Sequence, residues 1–403
     1  MTAFIKMSRN HLFPLLLLAS IGFGGLFGYV VEGELPILQS IGALFLNLLL
    51  TAIVPLVFFG VSSAISRMSS VSNIRRIFFV MTLVFLVTSL IASLFALAAV
   101  HIFPIQLANT LPTIGASHAN TQSHAMLNQL LEVASVAEFY RLLSHQHMFA
   151  LIIFSLFVGF AALSVADHSF IQFLQAGERI FMRVFQLIMY AAPVGFFAYF
   201  ATIVHDLGAK IMGTYLQITL LYYSLGLIFF VVVYSGYAYF SAGMYGVRNF
   251  WKHIFLPMVT AIATCSSAAS IPANLEACKQ MKLPNVIGET AIPIGSLLHK
   301  DGSVIGGIIK IAFLFSLFHL NFSGVSVLVT AVGVSMLVGT VMGAIPSGGM
   351  LGELLILSVY GFPPSALIAV AAISVIIDPL ATMLNVTGNT ISCMLINHFK
   401  TTT

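Results

Sequence analysis

From Gly213 to Gly243 the chain carries no Asp, Glu, Lys or Arg. Roughly 20 apolar residues suffice to span the hydrocarbon layer of a bilayer as a helix. Further apolar runs recur near 12–31, 38–64, 76–103, 146–166 and 180–205. Backbone polar groups at membrane depth must find partners inside the protein, which makes each such run an expected transmembrane helix. The balance of 59% hydrophobic to 7% charged residues agrees, since a soluble domain carries about 25% charged residues. The chain reads as an all-α integral membrane protein.

The N-terminal apolar run continues through Val31 with no small-x-small cleavage pattern, so a retained helix is expected rather than a removed signal. Cys265, Cys278 and Cys393 show neither a disulfide framework nor metal-ligand spacing. Orientation follows from the basic residues. With a cytoplasmic N-terminus, Lys6, Arg9, Arg67, Arg75, Arg76, Arg179, Arg183, Arg248, Lys252, Lys279, Lys282 and Lys400 fall inside. Only Arg141 and Lys210 fall outside, as the positive-inside rule requires, provided both interrupted segments described below return to their own side and Lys300 and Lys310 stay within the membrane. Both termini are then cytoplasmic, and a polar stretch over 109–129 is an external loop.

After residue 250 the pattern changes. Residues 254–276 are apolar but cut by "TCSSAASIPAN", and residues 324–358 are cut by "GAIPSGG". Irregular backbone at membrane depth survives only where protein buries it or it lines a watery cavity. Paired interrupted segments of this kind point to a transporter's substrate site at an internal-repeat interface. Packing faces of two ordinary helices could use the same small residues, but charge accompanies them here. Residues 288–318 carry His299, Lys300 and Asp301 in succession, and ionisable groups in the membrane mark function.

The last run, 364–397, contains "DPLATMLNVTGNTIS". At helical spacing Asp378, Ala381, Thr382, Asn385, Asn389 and Ser392 share one stripe. A mid-membrane Asp costs about 2.5–3.5 kcal/mol on insertion scales, so Asp378 should face protein, water or a cation such as an amino group. Pro379 removes a backbone donor directly after it.

On these stretches the chain resembles the dicarboxylate/amino acid:cation symporter family, the glutamate transporter homologues. "ATCSSAASIP" (263–272) looks like the tip of a first hairpin and "GAIPSGG" (343–349) like that of a second. "HKDGS" (299–303) stands where the family has Asn-Met-Asp-Gly-Thr, "NVTG" (385–388) resembles its last-helix motif, and "YAAPVGFFA" (190–198) its fifth helix. The resemblance implies eight transmembrane helices plus two re-entrant helical hairpins, arranged as inverted repeats in a homotrimer with an elevator motion. Residues 1–245 would hold helices 1–6, mostly scaffold, with helices 3 and 6 joining the transport domain. Residues 246–403 would hold hairpin 1 (250–283), helix 7 (288–318), hairpin 2 (324–358) and helix 8 (363–399).

Carried over residue by residue, the resemblance assigns Asp378 to a substrate amine. Asn385 and the backbone at Ser266 and Ser267 would bind its carboxylate, with Thr382 and Ser303 beside it. Pro346, Ser347, Gly348 and Gly349 would form the gate. Asp301, Thr88 and Ser89 would belong to a sodium site. The departures are informative. Ala381 stands where acidic-substrate members place an arginine, and Cys265 stands at the other position that can carry one. Without a guanidinium a second substrate carboxylate would be desolvated and unpaired, so a small neutral amino acid is expected.

Asn389 replaces a sodium-binding Asp of the family, Phe85 a tyrosine, and His299 and Lys300 the Asn-Met pair. Hard cations want several oxygen ligands, so sodium coupling should be weakened. Lys300 is expected to act as a tethered cation paired with Asp301, the alternative being a Lys300 that snorkels to water. His299 and Glu353 are candidate proton carriers, and Lys310 on the same helix as Lys300 is expected to reach the interface. The coupling ion would be Na+ or H+, with no other cofactor and no nucleic-acid partner. The setting expected is the cytoplasmic (inner) membrane. The alternative is a conventional sodium- or proton-coupled amino acid/dicarboxylate symporter. An ion channel would need a charged ring or repeated filter, and an enzyme a motif such as HExxH or GxSxG; neither is found.

Overall fold

The computed structural model describes residues 16–17, 19–66, 75–105, 135–144, 147–207, 210–341 and 349–402. Among these every regular element is helical. The N-terminal part comprises α1 (Ala19–Val30), α2 (Pro36–Ser66), α3 (Arg75–Ile102), α4 (Met148–Val165), α5 (His168–Met189) and α6 (Ala192–Leu207). Then come α7 (Lys210–Ile228), a π turn (Phe229–Val233) and α8 (Tyr234–His253). The remainder is α9 (Phe255–Thr264), α10 (Ile271–Gln280), α11 (Asn285–Leu298), α12 (Asp301–Leu317), α13 (Val325–Val341), α14 (Gly349–Tyr360) and α15 (Ala366–Thr402).

Four stretches among the described residues are long and apolar enough to cross a membrane: Pro36–Ser63, Phe78–Ile102, Met212–His253 and Ala366–Lys400. The run expected as one helix over 180–205 is instead α5 and α6, bent by 55°. Pro193 explains the break, because it cannot donate to the carbonyl of Met189, where α5 ends. At the start of α5, the Asp167 side chain accepts from the Phe170 N–H at 2.8 Å, an N-cap. Helix α8 kinks at Gly243, whose φ of 60° suits glycine.

Helices α9 and α10 have 10 residues each, about 15 Å at 1.5 Å per residue. Neither can cross ~30 Å of hydrocarbon alone; they pack on each other and on α15. The α13–α14 pair likewise packs together, with 17 and 12 residues.

Two groups of helices result. Helix α2 packs on α4, α5 and α6. Helix α15 is the hub of the other group, in contact with α3, α7, α8, α9, α10, α11, α12 and α14, and it also touches α6 of the first group. Its residues from Leu380 to Ile396 are buried on every side, as a helix at the centre of a bundle should be. Tyrosines tie neighbouring helices to it through backbone carbonyls. Tyr215 donates to Ala369 at 3.0 Å, Tyr223 to Ile376 at 3.1 Å and Tyr234 to Leu384 at 2.9 Å. A tyrosine buried in apolar surroundings must place its hydroxyl somewhere, and here that need fixes helix position.

Candidate functional site

The run from 288 to 318 is two helices separated by an unwound step. His299 (φ −127°, ψ 113°) and Lys300 (φ −147°, ψ 76°) are extended between α11 and α12. Side chains alternate in extended backbone, so these two leave the chain on opposite sides.

His299 enters a sealed cluster. Its Nε2 lies 2.7 Å from Thr88 Oγ1 and 3.1 Å from Asp301 Oδ1, and its Nδ1 lies 2.9 Å from Asn389 Oδ1. The ring stacks on Phe85 at a centroid distance of 4.3 Å. The Thr88 hydroxyl donates back to the Val84 carbonyl at 3.0 Å, which leaves its lone pairs to accept from the ring N–H. Asp301 is 0% exposed, and its Oδ2 accepts from Tyr234 at 3.2 Å. Glycine permits this density: a Cβ at Gly388 would meet Tyr234 and Asp301, and one at Gly295 would meet Asn389 and Phe85. Ser89 is buried next to Thr88 on α3.

Among the described residues no ion pair joins Lys300 to Asp301. Asp301 is held by His299 and Tyr234, while Lys300 lies within electrostatic reach of Asp378. Nor does Lys300 snorkel, since it is 6% exposed. The alternation of the unwound step explains both outcomes. Lys310 also departs from expectation. Rather than reaching an interface it is buried, with Nζ 2.8 Å from Oε1 of Glu353, and so Glu353 carries a counter-ion.

A second group lies on the α15 stripe. Asp378 is half-buried, and Thr382 donates to its Oδ1 at 3.2 Å. Asn385 engages the first turn of α12 twice: its Nδ2 donates to Ser303 Oγ at 3.1 Å, and its Oδ1 accepts from the Ser303 N–H at 3.2 Å. Ala381 is buried. Tyr222 donates to the Gly302 carbonyl at 2.9 Å. The turn between α9 and α10 brings Cys265 within electrostatic reach of Asp378. Cys265 is left-handed (φ 47°) and closes α9; Ser266 caps the turn by accepting from the Ala269 N–H at 3.2 Å, and Ser267 is buried. Pro346, Ser347 and Gly348 lie outside the described residues; Gly349 opens α14.

Tyr222, Tyr223, Tyr234 and Ser374 escaped the sequence reading. The signal for the tyrosines was available in their position within a span free of charge, where a phenol must find an acceptor.

Two of the oxygens that would serve a cation near Asp301 are hydrogen-bonded to His299, whereas Asp301 Oδ1 is ion-paired to it and receives no hydrogen bond among the described residues. Thr88 Oγ1, Asp301 Oδ1 and Asn389 Oδ1 all converge on the ring nitrogens of His299. A sodium ion needs several oxygens, and two of these three, Thr88 Oγ1 and Asn389 Oδ1, are hydrogen-bonded to the imidazole.

Helical in every regular element among its described residues, with a broken helix, short paired helices and a half-buried acid at its centre, the chain has the features of a membrane transporter. The chain belongs to the sodium:dicarboxylate symporter family, whose model matches residues 13–399. It is similar to a proton/sodium-glutamate symport protein of Bacillus subtilis, 25% identical over 380 residues, covering 90% of this chain and 86% of that one. A proton/sodium-glutamate symport protein of Bacillus caldotenax is 24% identical over 378 residues, covering 90% and 88%. Human neutral amino acid transporter A is 27% identical over 269 residues, covering 63% of this chain and 48% of that one.

Proposed function

We propose that this chain is a secondary active transporter of a small neutral amino acid across the cytoplasmic membrane, with weakened or absent sodium coupling. One contrast among the core acids carries the reading. Among the described acids of the helices packed around α15, Asp301 is buried against His299 and Tyr234 and Glu353 against Lys310, whereas Asp378 is half-buried, with Lys300 within electrostatic reach. An acid left open in an otherwise closed core is the one that receives a cargo amine. Thr382 orients it. Asn385, Ser303 and the backbone at Ser266 and Ser267 are the groups for the cargo carboxylate, and Ala381 and Cys265 bring no charge for a second one.

The weakened coupling rests on the imidazole that occupies the oxygen set of the Asp301 cluster. The architecture in this reading is eight transmembrane helices plus two hairpins, α9–α10 and α13–α14, with the segment through Pro346, Ser347, Gly348 and Gly349 as the gate. The transport domain would be α3 and α7 to α15, and the scaffold α1, α2 and α4 to α6. The packing of α3 and α7–α8 on α15 supports that division. The elevator motion, the homotrimer and cytoplasmic termini belong to the same proposal.

One observation favours a second reading. Lys300 is a buried cation within electrostatic reach of Asp378, and an ammonium there could meet a substrate's second carboxylate. The relatives named as glutamate symport proteins fit that alternative, a conventional sodium- or proton-coupled carrier of an acidic amino acid.

Uptake of labelled neutral amino acids and of aspartate into proteoliposomes decides between them, with sodium, proton or no gradient imposed. Sodium-independent uptake of a neutral substrate is expected. Strict sodium dependence with aspartate preferred would establish the second reading.

A further inference from the structure

Above Asp378 on α15 lies a polar network that neither the cargo group nor the His299 cluster uses. Lys310 of α12, Glu353 of α14 and Ser374 of α15 meet there. The Lys310 ammonium donates to Glu353 Oε1 at 2.8 Å and also to Ser374 Oγ, while the Ser374 hydroxyl donates to the same Oε1. Lys310 is 3% exposed and Glu353 0%. The second carboxylate oxygen, Oε2, is buried with no partner among the described residues.

Such a pair is a poor source of stability. Desolvating two charges costs more than a hydrophobic replacement would, and an unsatisfied oxygen adds to that cost. Its value therefore has to lie in what it holds in place. Ser374 stands four residues before Asp378, one turn away on the same face of α15. Pro379 follows at once and has no N–H, so the Val375 carbonyl loses its helical donor where the cargo acid sits. The helix is thus least self-supporting at Asp378. Beyond the proline it is held by Asn385 on Ser303; before the proline it is held by Ser374 and by Tyr223 on the Ile376 carbonyl.

We infer that Lys310 and Glu353 are positioning residues for the cargo site: through Ser374 they fix the rotation of α15 ahead of its proline, which aims the Asp378 carboxylate. The network joins three separate helices, so it ties the second arm of one short-helix pair to the segment that carries this acid. The inference rests on the reading of Asp378 as the acid that takes the cargo amine.

The test compares the purified wild type with Lys310→Met/Glu353→Leu, which removes both charges without leaving one unpaired, and with the reversed pair Lys310→Glu/Glu353→Lys. Hydrogen–deuterium exchange is followed over residues 370–384 in substrate-free protein, with residues 285–298 as internal reference. Binding of labelled neutral amino acids is measured on the same samples. In the apolar double variant, exchange over 370–384 is expected to rise about tenfold while the reference helix is unchanged. Amino acid affinity should fall about tenfold, as misaiming a binding group does. The reversed pair should return exchange toward the wild-type rate. Unchanged exchange over 370–384 in the apolar variant would overturn the inference, and so would an equal rise in the reference helix, which marks general loosening. If exchange responds as expected but the wild type binds no neutral amino acid, the anchoring of α15 by Lys310 and Glu353 stands, while the neutral-amino-acid reading of Asp378, and with it the positioning role toward the cargo, falls.

Discussion

Nδ1 of His299 lies 2.9 Å from Oδ1 of Asn389, which ties the unwound step between α11 and α12 to the middle of α15. Through the other ring nitrogen the same imidazole reaches Thr88 on α3 and Asp301. One side chain thus spans three helices at the point where the family's coupling ion is expected to act.

Replacing that ring with a smaller oxygen ligand should reopen the cluster. His299→Asn is expected to make uptake more dependent on external sodium than in the wild type. Stability should fall by about 1–3 kcal/mol, because Thr88 and Asp301 lose a buried partner. Sodium titration of uptake in proteoliposomes checks the first effect and thermal unfolding the second. Equal sodium response in the two proteins would show that the imidazole does not stand in for a cation.

Asp378→Asn tests the cargo acid. Loss of a charged hydrogen bond to an ammonium is worth about 1.5–3 kcal/mol, so affinity should fall roughly 10- to 150-fold. The melting temperature should fall as well, because the buried Lys300 loses the acid within its electrostatic reach, although Thr382 can still bond the amide oxygen. Calorimetric titration with the transported amino acid reads the affinity, and an unchanged Kd would remove Asp378 from the site.

Tyr234→Phe removes one hydroxyl from two acceptors, Asp301 Oδ2 and the Leu384 carbonyl. Both are buried, so the expected cost is about 1–3 kcal/mol. It should appear as a lower midpoint in thermal unfolding. A shift no larger than that of Tyr239→Phe, at an exposed tyrosine, would mean that the hydroxyl contributes nothing.

Gly388→Ala places a methyl group against Tyr234 and 3.2 Å from Asp301 Oδ2. Overpacking of this kind costs about 1–3 kcal/mol. The substitution should destabilise the protein and slow transport, whereas Gly236→Ala, with open space around its Cβ position, should do neither. Parallel unfolding and uptake measurements on the two variants decide the matter.

Much of the architecture was legible before any coordinates. Length and apolarity mark α2, α3, α7–α8 and α15 as membrane helices, because a bilayer demands long runs with internally paired backbone. The interruption at residues 264–274 marks two short helices, and Asp378, Thr382 and Asn385 share a stripe by helical periodicity alone. Periodicity carries no information across an interruption, however. The sequence leaves three successive residues, His299, Lys300 and Asp301, with equal claims on one another. Which of them meet depends on the dihedral angles of the unwound step and on what the other helices bring up to it.

The chain by itself therefore determined that charge is buried in this membrane core and on which helices it sits. Only the tertiary structure decided the partners. Extended backbone brings His299 to Thr88, Asn389 and Asp301 and leaves Lys300 buried within electrostatic reach of Asp378. Lys310 and Glu353, 43 residues apart, meet because α12 and α14 pack on the same stretch of α15. The energy of a buried charge is set by the few ångströms around it, and that neighbourhood exists only once distant segments have packed together.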